Sequence, residues 1–290
     1  MEPSPAAREA HERASACIDD RRFAEAIPHA EEAARLAPAW GEVWWNLGVG
    51  YKHARRWREA LDACDRVIAL DGAGAQGVHW NAGIAASALG DWTRARTAWR
   101  AAGIDVGDGS GPIEMDLGPV ALRVAPESAP EVVWSDRLDP CRARIRSVPT
   151  PASGHRFGDL VLHDGEPRGR RQLGERSVPV FDELLLLERS AYGTWEILVR
   201  VDAPAHLAEV TGLLDADAVH VEDWTGSLEM LCAQCSLGEP HEHERGERPS
   251  ATWNRERRLG IAARDAADLA PLRRWGWRWR REVQSVRRVL

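Results

Sequence analysis

The stretch Trp44-Trp45-Asn46-Leu47-Gly48-Val49-Gly50-Tyr51 decides how the first third of the chain folds. Trp44, Leu47, Gly48 and Tyr51 recur at intervals of three and four, which places them on one face of a helix. Ala60, Cys64 and Val67 continue that spacing on a second helix. A weaker copy lies 34 residues earlier, at Ala26, Ala30 and Ala33, with Pro38 closing the helix. Another lies 35 residues later, at Trp80, Gly83, Ala95, Trp99 and Ala102, the extra residue fitting the glycine-rich turn 71–77. A fixed period of this kind means stacked helix pairs, because a single pair cannot bury its apolar face. Gly48, Gly83, Ala60 and Ala95 are small where two helices must approach closely.

Over roughly residues 7–109 this pattern resembles the tetratricopeptide repeat. The resemblance implies an all-α helical array whose first helices line a concave groove. Along those helices Glu42, Trp45, Val49, Lys52, His53, Trp80 and Ile84 are expected to face the groove. Asn46 and Asn81 resemble the family's groove asparagines, which bond the backbone of a bound peptide. Members that bind chaperone tails also carry basic groove residues that grip a carboxylate. Here Lys52 is the sole lysine and the rest of that set is missing, which argues against that partner class. The expected occupant is another protein or peptide, or the chain's own C-terminal domain, since no seventh, solvating helix is recognisable after residue 102.

Composition narrows the remaining classes. Across 290 residues, 44% hydrophobic and 29% charged, the chain reads as globular and long enough for more than one core. No apolar run approaches the roughly 18 residues of a membrane span, and the first residues lack a signal-peptide core. Five sparse cysteines suit a reducing compartment, so a cytoplasmic protein is expected. Of 38 basic residues only one is lysine, the bias of a high-GC bacterial genome. A net charge of −7 argues against wholesale nucleic-acid binding.

After the cluster Gly107-Asp108-Gly109-Ser110-Gly111-Pro112 the pattern turns strand-like, which marks a boundary. The expected division is a helical array over 1–106, a β-rich module over 107–191 and an α+β domain over 192–290. In the module, short apolar runs alternate with turns, and Asp164-Gly165 reads as a two-residue hairpin turn. A curled sheet is expected there. In the last part Trp195–Val201, Ala205–Leu214 and Ala218–Trp224 form one strand–helix–strand unit. A second follows with Leu259–Ala263, Ala266–Arg274 and Trp275–Val283, and two such units suggest a ferredoxin-like sandwich. Pro271 weakens the second helix. Residues 271–290 hold seven arginines and one glutamate, with Trp275, Trp277 and Trp279 alternating so that they share one strand face.

Between the two units lies Cys232-Ala-Gln-Cys235, with His241 and His243 close behind. The Cys-x2-Cys spacing lets two thiolates converge on one ion at a tight turn. In an extended segment the two histidines point the same way. Two thiolates and two imidazoles favour zinc, and four ligands close its shell, so a structural ion is expected. Cys141 is a more distant candidate ligand, and Cys17 and Cys64 read as small core residues. His155, Asp159, His163 and Asp164 gather along one apparent hairpin that could meet His220, and read as surface residues beside a turn. No phosphate-cradling or nucleophile-elbow motif occurs.

The sequence therefore points to a multidomain protein: a tetratricopeptide array, then an α+β region with an inserted zinc loop. Its expected role is protein interaction and scaffolding. A metal-dependent enzyme of a specialised pathway and a nucleic-acid-binding regulator are the alternatives.

Overall fold

The computed structural model describes residues 2–71, 76–173, 175–214, 219–225, 253–270 and 283–290. They divide into two units, Met1–Leu117 with Leu138–Cys141, and Gly118–Arg137 with Arg142–Leu290.

In the first unit three helix pairs follow one another: α1 Pro5–Asp19 and α2 Phe23–Leu36, α3 Gly41–His53 and α4 Trp57–Asp71, α5 Gln76–Ala88 and α6 Trp92–Ala101. Ser4 caps α1, accepting from the Ala7 N–H, with Pro5 at the first helical position, where it has no amide to lose. Asp91 caps α6 through the Arg94 N–H. The small residues do what their spacing implied. A β-carbon on Gly48 would rest 3.7–3.9 Å from Cys64, Ala63 and Ala60 of α4. The core is built largely of alanines, with Ile27, Val43, Leu47 and Tyr51 among them. Buried Cys64 and Val67 of α4 continue it with Val78, Ala82 and Ala98.

Each pair turns through a left-handed residue at the equivalent place: Arg21 (φ 60°), Arg55 (φ 59°) and Gly90 (φ 70°). After α6 an extended segment returns along that helix. Arg96, itself buried, donates to the Gly111 carbonyl at 2.6 Å. Arg100 reaches the Gly107 carbonyl and the Asp108 carboxylate, each at 2.6 Å.

The second unit opens with five strands: β1 Pro119–Val124, β2 Glu131–Arg137, β3 Arg142–Ile145, β4 Leu160–Leu173 and β5 Arg176–Glu188. They form a closed barrel, where a curled sheet was expected. Successive strands run antiparallel, so the first and fifth run the same way, and β1 closes on β5 as a parallel pair. Val120, Leu122, Val124, Val133, Ala143, Ile145, Val161 and Phe181 fill its interior. Asp164-Gly165 is not a hairpin turn. It lies inside β4, where the register with β5 shifts between His163 and Pro167, and Leu173 pairs with Arg176 at the chain reversal.

The remaining strands, β6 Gly193–Arg200, β7 Val219–Asp223, β8 Glu256–Ala263 and β9 Val283–Arg288, form an antiparallel sheet in the order β7-β8-β6-β9. Helix α7, Pro204–Leu214, connects β6 to β7. Of the expected second helix, Ala266–Arg274, the described residues open as a 3-10 turn over Ala266–Leu269, with Asp265 and Asp268 forming a capping box, and 271–274 lie outside the described residues. Residues 271–282, including Trp275, Trp277 and Trp279, lie outside the described residues. Trp195, Ile197, Val199, Leu259 and Ile261 form a core with Leu269 and half-buried Leu207. Val148, Phe157, Trp224 and Ala262 make a separate cluster shared by the barrel and the sheet. Among the described residues no helix is long and apolar enough to cross a membrane.

Candidate functional site

Helices α1, α3 and α5 bring together most of the residues expected along the groove. Trp45 is the exposed aromatic one, at 37%, and its ring sits over the start of α5, 2.9 Å from where a Gly77 β-carbon would lie. Trp80, one period further on, is half-buried and meets Trp99 edge-on, with ring centroids 5.2 Å apart. Val49 and His53 are half-buried, and the His53 ring stacks on Phe23 at 3.7 Å. Glu42 is exposed, 3.6 Å from His11 Nε2.

The polar members bond between helices. Asn46 donates to Ser15 Oγ of α1 at 2.9 Å and lies 3.2 Å from His11 Nδ1. Lys52 donates to Asn81 Oδ1 of α5 at 3.2 Å. Asn46 and Lys52 are buried, and Ile84 is completely so. These bonds tie α3 to the first helix on either side of it, fixing the register in which Trp45 is displayed. Sequence reasoning missed His11 and Ser15. The period was the available signal, because His11 stands 34 residues before Trp45.

Three consecutive helix pairs share the spacing and the left-handed turn, and the second and third each set a glycine, Gly48 or Gly83, against the paired helix. The first third of the chain has the stacked helix-pair architecture that the tetratricopeptide resemblance implied. Among solved structures, the second such domain of Spaghetti (RPAP3), bound to an HSP90 peptide, is similar at 19% identity, with a TM-score of 0.32. That match covers 34% of this chain and 90% of the other. A MamA variant matches at 19% identity over 37% of this chain and 76% of its own, with a TM-score of 0.33. The Sgt2 tetratricopeptide domain from Aspergillus fumigatus matches at 19% identity over 35% and 67%, also with a TM-score of 0.33. No family model and no curated protein matches the chain.

Within the helical array a cleft of about 380 Å³ opens between α4, α5 and α6. Ile68, Ala82 and Ala98 line it, with His79 and the ion-paired Asp65 and Arg94.

The second unit holds a different cluster. His155, Asp159, His163 and Asp164 were expected on the surface of a hairpin, but all four are buried. The reason is the closure of the barrel: β4 continues past Asp164, so these residues lie within it or against it instead of at a tip. His220 meets the Phe157 ring, stacked at 3.8 Å. His155 Nε2 lies 2.9 Å from Glu183 Oε2, and its Nδ1 lies 3.5 Å from Asp159 Oδ2. Burial works against charge on this imidazole, but the two carboxylates outweigh it and push its pKa up to about 9. His163 is the reverse case. Full burial, reinforced by Arg137, pushes it down to about 3, and its Nδ1 is 2.7 Å from the Asp164 carbonyl. Burial pushes the Asp159 carboxyl upward, but His155, the Ser190 and Arg156 amides and Arg189 together hold it below the usual range.

Among the described residues no group of three or more His, Cys, Asp or Glu side chains is disposed to hold a metal ion. Cys232, Cys235, His241 and His243 lie outside the described residues. Cys141 is buried, its amide donating to Asp139 Oδ1 at 2.9 Å.

Proposed function

We propose that the chain is a protein-interaction module whose tetratricopeptide array binds a protein or peptide along α1, α3 and α5. The observation that carries this reading is the exposed Trp45, flanked at the equivalent positions of the neighbouring pairs by half-buried His11 and Trp80. An aromatic ring held on a rigid helix face offers large contact area at little conformational cost. Lys52 is bonded to Asn81 and no second lysine exists, so the ligand is read as an extended peptide with a large apolar side chain, not an acidic chaperone tail. A library of extended peptides screened against the full chain should yield ligands that Trp45→Ala weakens at least tenfold, with the circular dichroism unchanged. Ligands held equally by that variant would place the binding face elsewhere and defeat the reading.

Three modules, over 1–106, 107–191 and 192–290, belong to the same reading. The order β7-β8-β6-β9, with β8 between β6 and β7, supports a ferredoxin-like assignment of the last. Cys232, Cys235, His241 and His243 fall in sequence between β7 and β8 and would hold one structural zinc, which when bound cross-links the connection. The donor set supports this. Elemental analysis should find about one zinc per chain, and chelation or Cys232→Ser should lower Tm. Metal-free protein of unchanged Tm would remove the site. Buried free thiols at Cys17, Cys64 and Cys141 support a reducing, cytoplasmic setting.

A further inference from the structure

Residues 148–159 cross from the barrel to the four-stranded sheet as a strap whose attachments are mostly carboxylates. Glu222 of β7 accepts from the Val148 N–H at 2.8 Å, while the Trp224 indole donates to the Val148 carbonyl at 2.7 Å. Glu131 of β2 accepts from the Thr150 N–H at 2.9 Å and from its hydroxyl at 2.8 Å. At the far end Asp159 accepts from Arg189 at 2.9 Å and from the Ser190 N–H at 2.8 Å. Arg189 also donates to the Gly154 carbonyl at 2.7 Å. Between these points the strap offers one side chain to the barrel's polar end, the imidazole of His155, set between Asp159 and Glu183.

The charged and titratable groups around that ring are few. Asp159 faces Nδ1 from the strap, backed by Arg189 just beyond β5. Glu183 faces Nε2 from β5, and also accepts from the Ala125 N–H at 2.9 Å. His163 of β4 pairs with Glu183 across the ladder, but its ring stacks on Phe181. Two buried carboxylates thus converge on His155, and among the described residues no arginine bridges Glu183 as Arg189 bridges Asp159. A buried carboxylate that loses its opposite charge is strongly disfavoured.

The geometry points to His155 as an imidazolium latch: its proton holds the strap 148–159 to the barrel, and losing that proton in mild alkali releases the strap from Glu183. The raised pKa of the ring agrees with this arrangement. Deprotonation removes the positive charge set between the two carboxylates: Asp159 keeps Arg189 and the Arg156 and Ser190 amides, while Glu183 is left facing a neutral ring in place of an imidazolium.

The test is a nitrogen-15 NMR titration of the full chain, following the rings of His155 and His163 and the Trp224 indole N–H, which reports the strap through Val148. At pH 7 the His155 nitrogens should show imidazolium shifts and those of His163 the separated shifts of a neutral ring. As pH rises through about 9, His155 should become neutral. Over the same range Trp224 indole exchange, corrected for its intrinsic pH dependence, should accelerate at least tenfold. In His155→Gln the faster exchange should already be present at pH 7. A neutral His155 at pH 7 would overturn the latch, as would its titration without any change at Trp224. Should His155→Gln fail to fold, the wild-type titration decides alone.

Discussion

Gly83 of α5 and Trp99 of α6 share one space: a β-carbon on Gly83 would lie 2.6 Å from Trp99 Cε2. Trp99 is fully buried, so it has nowhere to retreat. Gly83→Ala should therefore destabilise the array by about 2–3 kcal/mol through overpacking. At Gly48 the same change meets only ordinary contacts of 3.7 Å or more, and should cost much less. Urea midpoints of the two variants check the contrast.

Arg55 should be a position where glycine improves the fold. Its φ of 59° is left-handed, as at Gly90 one period later, and side chains rarely adopt that region. Arg55→Gly should stabilise by roughly 0.5–1 kcal/mol after the added freedom of the unfolded chain is set against the relief. Gly90→Ala should move the urea midpoint the other way.

The buried histidines of the second unit, His155 and His163, bound stability from opposite sides. His155 has a folded pKa of about 9, above the unfolded value near 6.5. Its contribution is fully present below about pH 6.5 and is lost as pH rises through 9, roughly 3 kcal/mol in all. His163 has a folded pKa of about 3. Its neutral, buried form contributes fully above about pH 6.5 and loses ground as pH falls toward 3. Unfolding monitored across pH 4–10 should show greatest stability of the second unit near pH 6–7, with His155→Gln flattening only the alkaline limb.

Gly260 of β8 should tolerate no side chain, because the Trp224 indole occupies the place of its β-carbon. Gly260→Ala should displace Trp224 from Val148 and Ala262 and speed hydrogen exchange in the strap 148–159, while leaving the amides of α1–α6 unchanged.

The array was legible because its evidence is repetitive. Trp44, Leu47, Gly48 and Tyr51 state a face, and two copies at a fixed interval confirm it. Asn46, Lys52 and Asn81 stood out as positions, but that Asn46 bonds Ser15 and Lys52 bonds Asn81, 31 and 29 residues away in other pairs, is stated by no local pattern. The barrel was half legible. Its strands show as apolar runs, whereas its closure depends on Ala121, Leu122 and Arg123 pairing with Val180, Phe181 and Asp182 far along the chain. Asp164-Gly165 misled because a turn dipeptide is a local preference, and in β4 the longer ladder with β5 absorbed it as an irregularity. The burial of His155 and His163 follows from that same ladder.

Closing the barrel through β1 and β5 also decides where the second unit could polymerise. A cylinder has no lateral boundary, so its five strands offer no template to another chain. Among the described residues only the four-stranded sheet has outer strands, β7 and β9. Of these β9 ends in Arg287, which pairs with Glu196, and Arg288, a charge that a second copy laid alongside would have to confront. The safeguard against runaway strand addition is thus topological in one sheet and electrostatic in the other.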